Sequence, residues 1–238
     1  MSSSQELSAA SSVVLAVSIG AGILYLTMVR STPSRGRMIV KTASTALLSA
    51  MAAIHGGPSL LVGALALGSI GDAFLAWDDE TSFLYGLASF LVAHIFYIGL
   101  FFRINTNIVA RFQILLEGWR SVISGALALL VLAMITSLMP QINAELRPPV
   151  ILYSLAIFAM TITAITVDSS QVIVGSLLFS ASDSILAADR FLTSPTSSHR
   201  AWMQHAVWIL YYSGQLLIAL GLLFLDATTL EVDKGLGQ

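Results

Sequence analysis

Residues 68–79 read Gly-Ser-Ile-Gly-Asp-Ala-Phe-Leu-Ala-Trp-Asp-Asp. This stretch places a carboxylate, Asp72, inside an apolar run. Residues 179–190 read Phe-Ser-Ala-Ser-Asp-Ser-Ile-Leu-Ala-Ala-Asp-Arg. Both stretches follow the pattern Ser-x-small-Asp-x-x-Leu-Ala-x-Asp, and Asp183 follows Asp72 by 183 − 72 = 111 residues. A histidine comes 22 residues after each aspartate, at His94 and His205. The chain therefore carries an internal repeat that is built around two carboxylates.

The composition is that of an integral membrane protein. Of the 238 residues, 56% are hydrophobic and only 10% are charged, whereas about a quarter of the residues in a soluble domain are charged. The net charge of −2 gives no support for nucleic-acid binding, which requires a concentrated basic face. The chain has no cysteine, which excludes disulfides, cysteine metal sites and cysteine nucleophiles. Because the first residues lack a basic region, we expect the first apolar run to be retained rather than cleaved.

Eight apolar runs are each long enough, at roughly 20 residues, to cross a bilayer. They cover residues 9–29, 38–55, 59–77, 83–102, 120–139, 149–167, 171–190 and 202–225. Because lipid offers the backbone no hydrogen-bond partner, all eight are expected to be α-helices. The sequence thus predicts an all-α, polytopic protein with eight transmembrane helices in a single transmembrane domain, residues 1–238.

Residues 103–119 are predicted to connect two four-helix half-repeats, about 9–102 and 120–225. An even number of helices per half gives the halves the same membrane orientation, related by an axis along the membrane normal. Asp72 and Asp183 are then expected at equal depth, a turn or two from the same membrane face.

An ionisable side chain inside a spanning helix costs about 2.5–3.5 kcal/mol on insertion scales, and it usually faces the interior of the bundle. A single buried aspartate can simply link helices by hydrogen bonds. Two aspartates at matched positions of a repeat favour a functional pair instead. In an apolar pocket one of two neighbouring carboxyl groups keeps a proton while the other is ionised, which makes an acid/base pair of the kind used in glycoside hydrolysis.

Seven further residues are candidates for substrate binding or support. The two histidines have matched spacing, Gln215 needs a partner within the bundle, and Tyr97 is the repeat partner of Trp208. Lys41 starts the second helix on the aspartate side, where it is expected to snorkel or to contact a phosphate. Asp189 is expected to pair with Arg190 or to bind a headgroup amine. The complete set of supporting candidates is Lys41, His94, Tyr97, Asp189, His205, Tyr212 and Gln215.

Taken in order, these residues resemble the lysoplasmalogenases, the YhhN-like family of membrane proteins. The motifs are Gly71-Asp72-x-x-Leu75, Gly86-x-x-x-Phe90 leading to His94-x-x-Tyr97, Ser182-Asp183 with Asp189, and Tyr211-Tyr212-x-x-Gln215. The resemblance extends from about the second helix to the eighth, and it departs from the family at Lys41-Thr42, where a Lys-Pro pair is expected.

The resemblance implies hydrolysis of the vinyl ether bond of lysoplasmalogens to a fatty aldehyde and glycerophosphocholine or glycerophosphoethanolamine. The implied partners are a lysophospholipid substrate and membrane lipids, and no cofactor or metal is expected. The implied location is the endoplasmic reticulum membrane of a eukaryote or the inner membrane of a bacterium. The residues predict that Asp72 and Asp183 divide the roles of general acid and of base or cation stabiliser, but they do not assign either role.

Three other functions fit the residues. A proton-coupled transporter also combines repeats with intramembrane acids. A zinc-dependent membrane lipid hydrolase could use acceptable ligand types, namely Asp72, Asp183, His94 and His205. The third alternative is a lipid-binding scaffold without catalysis.

Overall fold

The computed structural model describes residues 7–225. Within this range the chain forms nine helices and no strand, so the all-α prediction is confirmed. In chain order the helices are α1 (Ala9–Met28), α2 (Arg35–Ile54), α3 (Ser59–Phe74), α4 (Glu80–Ile104), α5 (Ile108–Leu116), α6 (Gly118–Leu138), α7 (Arg147–Ile165), α8 (Ser170–Phe191) and α9 (His199–Leu223).

Seven of the described helices, all except α3 and α5, are long and apolar enough to cross a membrane. The chain is therefore a multi-pass integral membrane protein. Helix α3 has 16 residues, about 24 Å of helix at 1.5 Å per residue, compared with a hydrocarbon core of about 30 Å. It ends at Phe74, three residues earlier than the apolar run predicts, because the chain leaves the helix through a turn at residues 75 and 76.

Within the predicted connection, residues 103–119, the structure adds helix α5. The Arg111 guanidinium donates hydrogen bonds of 3.0 and 2.9 Å to the carbonyl oxygens of Phe101 and Phe102, and it lies 4.0 Å from the centre of the Phe102 ring. Helix α5 thus adds a side-chain donor to carbonyl groups in the last turn of α4, where the Phe101 carbonyl also accepts a hydrogen bond from the backbone N–H of Asn105 at 3.3 Å.

The turns between helices use side-chain caps. The Ser34 hydroxyl accepts a hydrogen bond from the backbone N–H of Arg37 at 3.2 Å, and the Asp79 carboxylate accepts one from Ser82 at 2.8 Å. Hydrogen bonds from Ser82 lower the pKa of the Asp79 carboxyl, so the cap of α4 is ionised at neutral pH. Gly56, with φ +79°, takes the left-handed conformation that ends α2.

Six helices pack in a closed ring, in the order α2, α3, α4, α7, α8, α9 and back to α2. Helix α1 packs outside α2 and α9, and α6 packs outside α7 and α8. Helices α8 and α9 lie close together at Gly175 and Gly214, where a Cβ atom on either glycine would lie 2.8 Å from the carbonyl oxygen of the other. Small residues at such crossings let membrane helices pack backbone to backbone.

Candidate active site

A cavity of about 340 Å³ opens among the ends of the helices at the face where α3 and α8 terminate. Loop residues such as Ser31 and Asp78 line its mouth, and apolar side chains of α6 line its inner part. Leu127 and Leu138 both border the cavity, and their separation of 138 − 127 = 11 positions corresponds to about 16 Å along a helix axis. Leu130 also lines the cavity and is 40% exposed, so the inner part also borders the lipid-facing surface.

Asp72 lies on the wall of this cavity and is held by three donors. Its Oδ1 is 3.4 Å from the Lys41 ammonium. Its Oδ2 accepts hydrogen bonds from the hydroxyl groups of Thr45 at 2.8 Å and Tyr211 at 2.7 Å. The carboxyl group is 2% exposed, so these contacts replace water almost completely. A cation and two hydroxyl donors are the surroundings in which a buried carboxylate remains ionised.

Asp183 lines the same cavity in different surroundings. Its Oδ2 accepts a hydrogen bond from the hydroxyl group of Tyr153 on α7. None of the lysine or arginine side chains in residues 7–225 forms an ion pair with Asp183. The two carboxyl groups line one cavity, and Asp72 has a cation beside it whereas Asp183 has none. A carboxyl group that lacks a neighbouring cation favours its neutral form more than one that is paired with a cation.

Aromatic rings pack beneath the two aspartates. The rings of Phe90, Phe179 and Tyr211 meet edge to face, with centroid distances between 5.3 and 6.2 Å. His94 contacts this cluster through Phe179 at 5.1 Å and packs against Tyr153 at 5.3 Å. His94 is buried and does not line the cavity; its position supports the tyrosine that binds Asp183.

The structure corrects the predictions for Lys41 and Asp189. Lys41 does not snorkel to the surface, because it is buried six residues into α2 and its ammonium pairs with Asp72. Asp189 pairs with Arg200, at 2.9 Å from Nε to Oδ1, rather than with Arg190. The guanidinium of Arg190 lies over the ring of Phe83 instead, at 4.0 Å.

Four of the nine predicted site residues line the cavity, namely Lys41, Asp72, Asp183 and Asp189. Tyr212 is directed away from it, because its hydroxyl group hydrogen-bonds Ser18 at 2.7 Å. His205 binds a carbonyl oxygen of its own helix through Nδ1 at 2.7 Å. Tyr97 donates a hydrogen bond of 2.5 Å to Oε1 of Gln215, and both side chains are buried behind the cavity.

Sequence reasoning missed Thr45, Tyr153 and Tyr211 as partners of the aspartates. Thr45 is on α2 and Tyr153 is on α7, the helices that precede the two aspartate helices in each half. A hydroxyl residue in the preceding helix is thus the signal that could have identified Thr45 and Tyr153, whereas Tyr211 lies on α9. For zinc, no three His, Asp or Glu side chains in the described part of the chain come together as a ligand set.

Comparison with known proteins gives one family. The YhhN family model matches residues 36–222. Mouse lysoplasmalogenase TMEM86B is 32% identical over 173 residues, which are 71% of this chain and 66% of the relative. Human lysoplasmalogenase TMEM86B is 30% identical over 171 residues, 71% of this chain and 65% of the relative. A lysoplasmalogenase of Mycobacterium tuberculosis is 28% identical over 193 residues, 77% of this chain and 69% of the relative.

The matched region thus spans slightly less than two thirds of the mammalian relatives' length. No solved structure matches the chain.

Proposed function

The chain belongs to the YhhN family, and from that premise we propose that it is a lysoplasmalogenase, which hydrolyses the vinyl ether bond of lysoplasmalogens. The products are a fatty aldehyde and a glycerophosphocholine or glycerophosphoethanolamine. The observation that carries this proposal is the pair of unequal carboxyl groups on one amphiphilic cavity. Asp72 has a lysine and two hydroxyl donors, whereas Asp183 has one tyrosine.

The unequal surroundings support a division of roles. Asp183, as the neutral acid, delivers its proton to the β-carbon of the vinyl ether. The electrons of the double bond form the new C–H bond, and the positive charge is shared by the α-carbon and the ether oxygen. Asp72 remains ionised and stabilises this oxocarbenium ion. A fixed charge inside a water-poor site is effective because it needs no reorganisation during the reaction.

Water then adds to the α-carbon, and the ionised Asp183 takes one of its protons, which restores the acid. The hemiacetal that results breaks its bond to the glycerol oxygen, which leaves with a proton as the alcohol, while the former α-carbon becomes the aldehyde. The net reaction consumes one water. Tyr153 holds the Asp183 carboxyl group in position, and His94 packs behind that tyrosine.

We also propose that α3 crosses the membrane, which gives eight crossings and two parallel four-helix halves. Helices α3 and α8 begin 111 residues apart, at Ser59 and Ser170, and each aspartate is the thirteenth residue after its helix start. Packing follows the same relation, since α2 packs on α3 and α3 packs on α4, just as α7 packs on α8 and α8 packs on α9. The contact of α4 with α7 corresponds to that of α9 with α2.

The other functions have weaker support. A transporter site is typically formed by interrupted helices near the bilayer midplane, whereas Asp183 lies in an uninterrupted helix of 22 residues. The zinc-dependent alternative needs Asp72, Asp183, His94 and His205 together, but His205 is engaged with its own helix and does not line the cavity.

The test is to incubate the purified protein with a lysoplasmenyl lipid and, separately, with its saturated ether analogue, and to measure aldehyde. We expect aldehyde from the vinyl ether alone, because only a double bond can accept the proton at carbon. Aldehyde from neither lipid, with protein that is monodisperse and folded, would refute the proposal.

A further inference from the structure

The mouth of the cavity carries an excess of positive charge. Four arginines line it, namely Arg30, Arg37, Arg190 and Arg200, together with two acids, Asp78 and Asp189. Deeper in the cavity, the charge of Lys41 is matched by that of Asp72. Among the residues that line this cavity, the arginines therefore outnumber the acids by two at the end near the membrane surface.

Three of these arginines are held in place. Arg200 binds Asp189 through Nε at 2.9 Å and through a terminal nitrogen at 3.2 Å. Arg190 lies 4.0 Å from the centre of the Phe83 ring, and Arg37 donates a hydrogen bond of 3.4 Å to the carbonyl oxygen of Ala76. Each guanidinium has five N–H donors, so most of them remain free for a ligand. Arginines that are already ordered lose little entropy when they bind an anion.

The arginines lie at a suitable distance from the carboxyl groups. Arg190 follows Asp183 by 190 − 183 = 7 residues on α8, which is about 10 Å along the helix axis. In a lysoplasmalogen only the glycerol carbons separate the phosphate from the vinyl ether oxygen. A molecule with its vinyl ether at Asp183 and its hydrocarbon chain beside α6 would bring its phosphate within reach of an arginine side chain from the rim.

We propose that Arg190 and Arg200, together with Arg37, form the binding site for the phosphodiester of a lysophospholipid. This assignment rests on the proposed function for the identity of the ligand. A second cavity of about 320 Å³ adjoins the site, and it is lined by the same two arginines together with Glu80 and the amide side chains of Gln141 and Asn143. It gives the amino end of the headgroup space beside a carboxylate.

The test measures binding without turnover. Two probes with the same saturated alkyl chain are compared in detergent, an alkyl lysophosphoethanolamine and an alkylglycerol that lacks the phosphate. We expect the phosphate-bearing probe to bind about tenfold tighter or more, and Arg190→Gln to reduce that ratio about tenfold, as expected for the loss of one charge-assisted contact. Arg190→Lys should retain part of the ratio. Arg103→Gln, an exposed arginine at the end of α4, is the matched control and should leave it unchanged.

Arg37→Gln is the second variant, since Arg200 also neutralises the buried Asp189 and its removal can disturb folding. Equal binding of the two probes by the wild-type protein would overturn the proposal, and so would an unchanged ratio in both Arg190→Gln and Arg37→Gln. If soluble glycerophosphoethanolamine displaced the bound alkyl lysophosphoethanolamine at an equal concentration, the site would belong to a water-soluble phosphate ester instead. A protein that distinguishes the probes but releases no aldehyde would keep this site and refute only the hydrolase.

Discussion

The ion pair between Lys41 and Asp72 leads to a quantitative prediction about stability. The two side chains are 11% and 2% exposed, and their charged atoms are 3.4 Å apart. Removing one partner leaves a buried charge without its counter-ion, which typically costs 3–5 kcal/mol. We therefore expect Lys41→Met and Asp72→Asn each to lower the free energy of unfolding by about 3–5 kcal/mol.

The double variant Lys41→Met/Asp72→Asn should be more stable than either single variant, because no unpaired charge remains. Its asparagine can still accept hydrogen bonds from Thr45 and Tyr211 through the side-chain carbonyl. The measurement is chemical unfolding in one detergent, followed by tryptophan fluorescence, for all four members of the cycle. Asp168→Asn is the control, since Asp168 is fully exposed beside Arg120, and it should cause no measurable change.

Activity should not follow stability in this cycle. The double variant regains the fold but has lost the ionised carboxylate that stabilises the oxocarbenium ion. We therefore expect its rate of aldehyde release to remain at least about a hundredfold below wild type, as for the loss of one well-placed electrostatic contact. A double variant with wild-type activity would remove Asp72 from the mechanism. Single variants as stable as wild type would show that Lys41 and Asp72 are not both ionised in the folded protein.

Further predictions concern the acid, the helix packing and the topology. Asp183→Asn should lower kcat by about 10²–10⁴-fold, the usual contribution of a general acid. Its elution volume in size-exclusion chromatography should be unchanged. Retention of most of the activity would exclude Asp183 as the general acid. Gly175→Ala should destabilise the protein by about 1–3 kcal/mol because α8 and α9 must move apart, whereas Gly125→Ala, with open space at the Cβ position, should not destabilise it. Since the chain has no native cysteine, single cysteines introduced at Ser59 and at Thr81 can be labelled with a membrane-impermeant maleimide. We expect the two positions to be labelled from opposite sides of the membrane. Labelling of both from the same side would mean that α3 does not cross the membrane.

The helices could be predicted from sequence because long apolar runs dominate it. The two aspartates could be selected for the same reason, since a carboxylate inside such a run is conspicuous and the 111-residue repeat marks both. Helix α5 was missed because the two arginines of residues 103–119, Arg103 and Arg111, suggest a polar loop, although Arg111 is buried against the end of α4.

The partners of the aspartates depend on how each helix is rotated, which the sequence leaves open. Tyr211 and Tyr212 are adjacent, and successive residues differ by about 100° around a helix; the structure directs Tyr211 to Asp72 and Tyr212 to Ser18. From the sequence, Lys41 has the position of a surface residue near the start of a helix. In the structure, the packing of α2 on α3 places its ammonium against Asp72.

The elongated cavity gives the two products of the proposed reaction different exits. Its polar rim faces the aqueous phase, so the glycerophosphodiester can diffuse away in water. The aldehyde keeps its long chain and lies beside α6, where the 40% exposed Leu130 forms a boundary with the bilayer. Once one molecule has been split, its halves partition into separate phases and rarely meet again, so reversal of the cleavage becomes improbable without any further device in the protein.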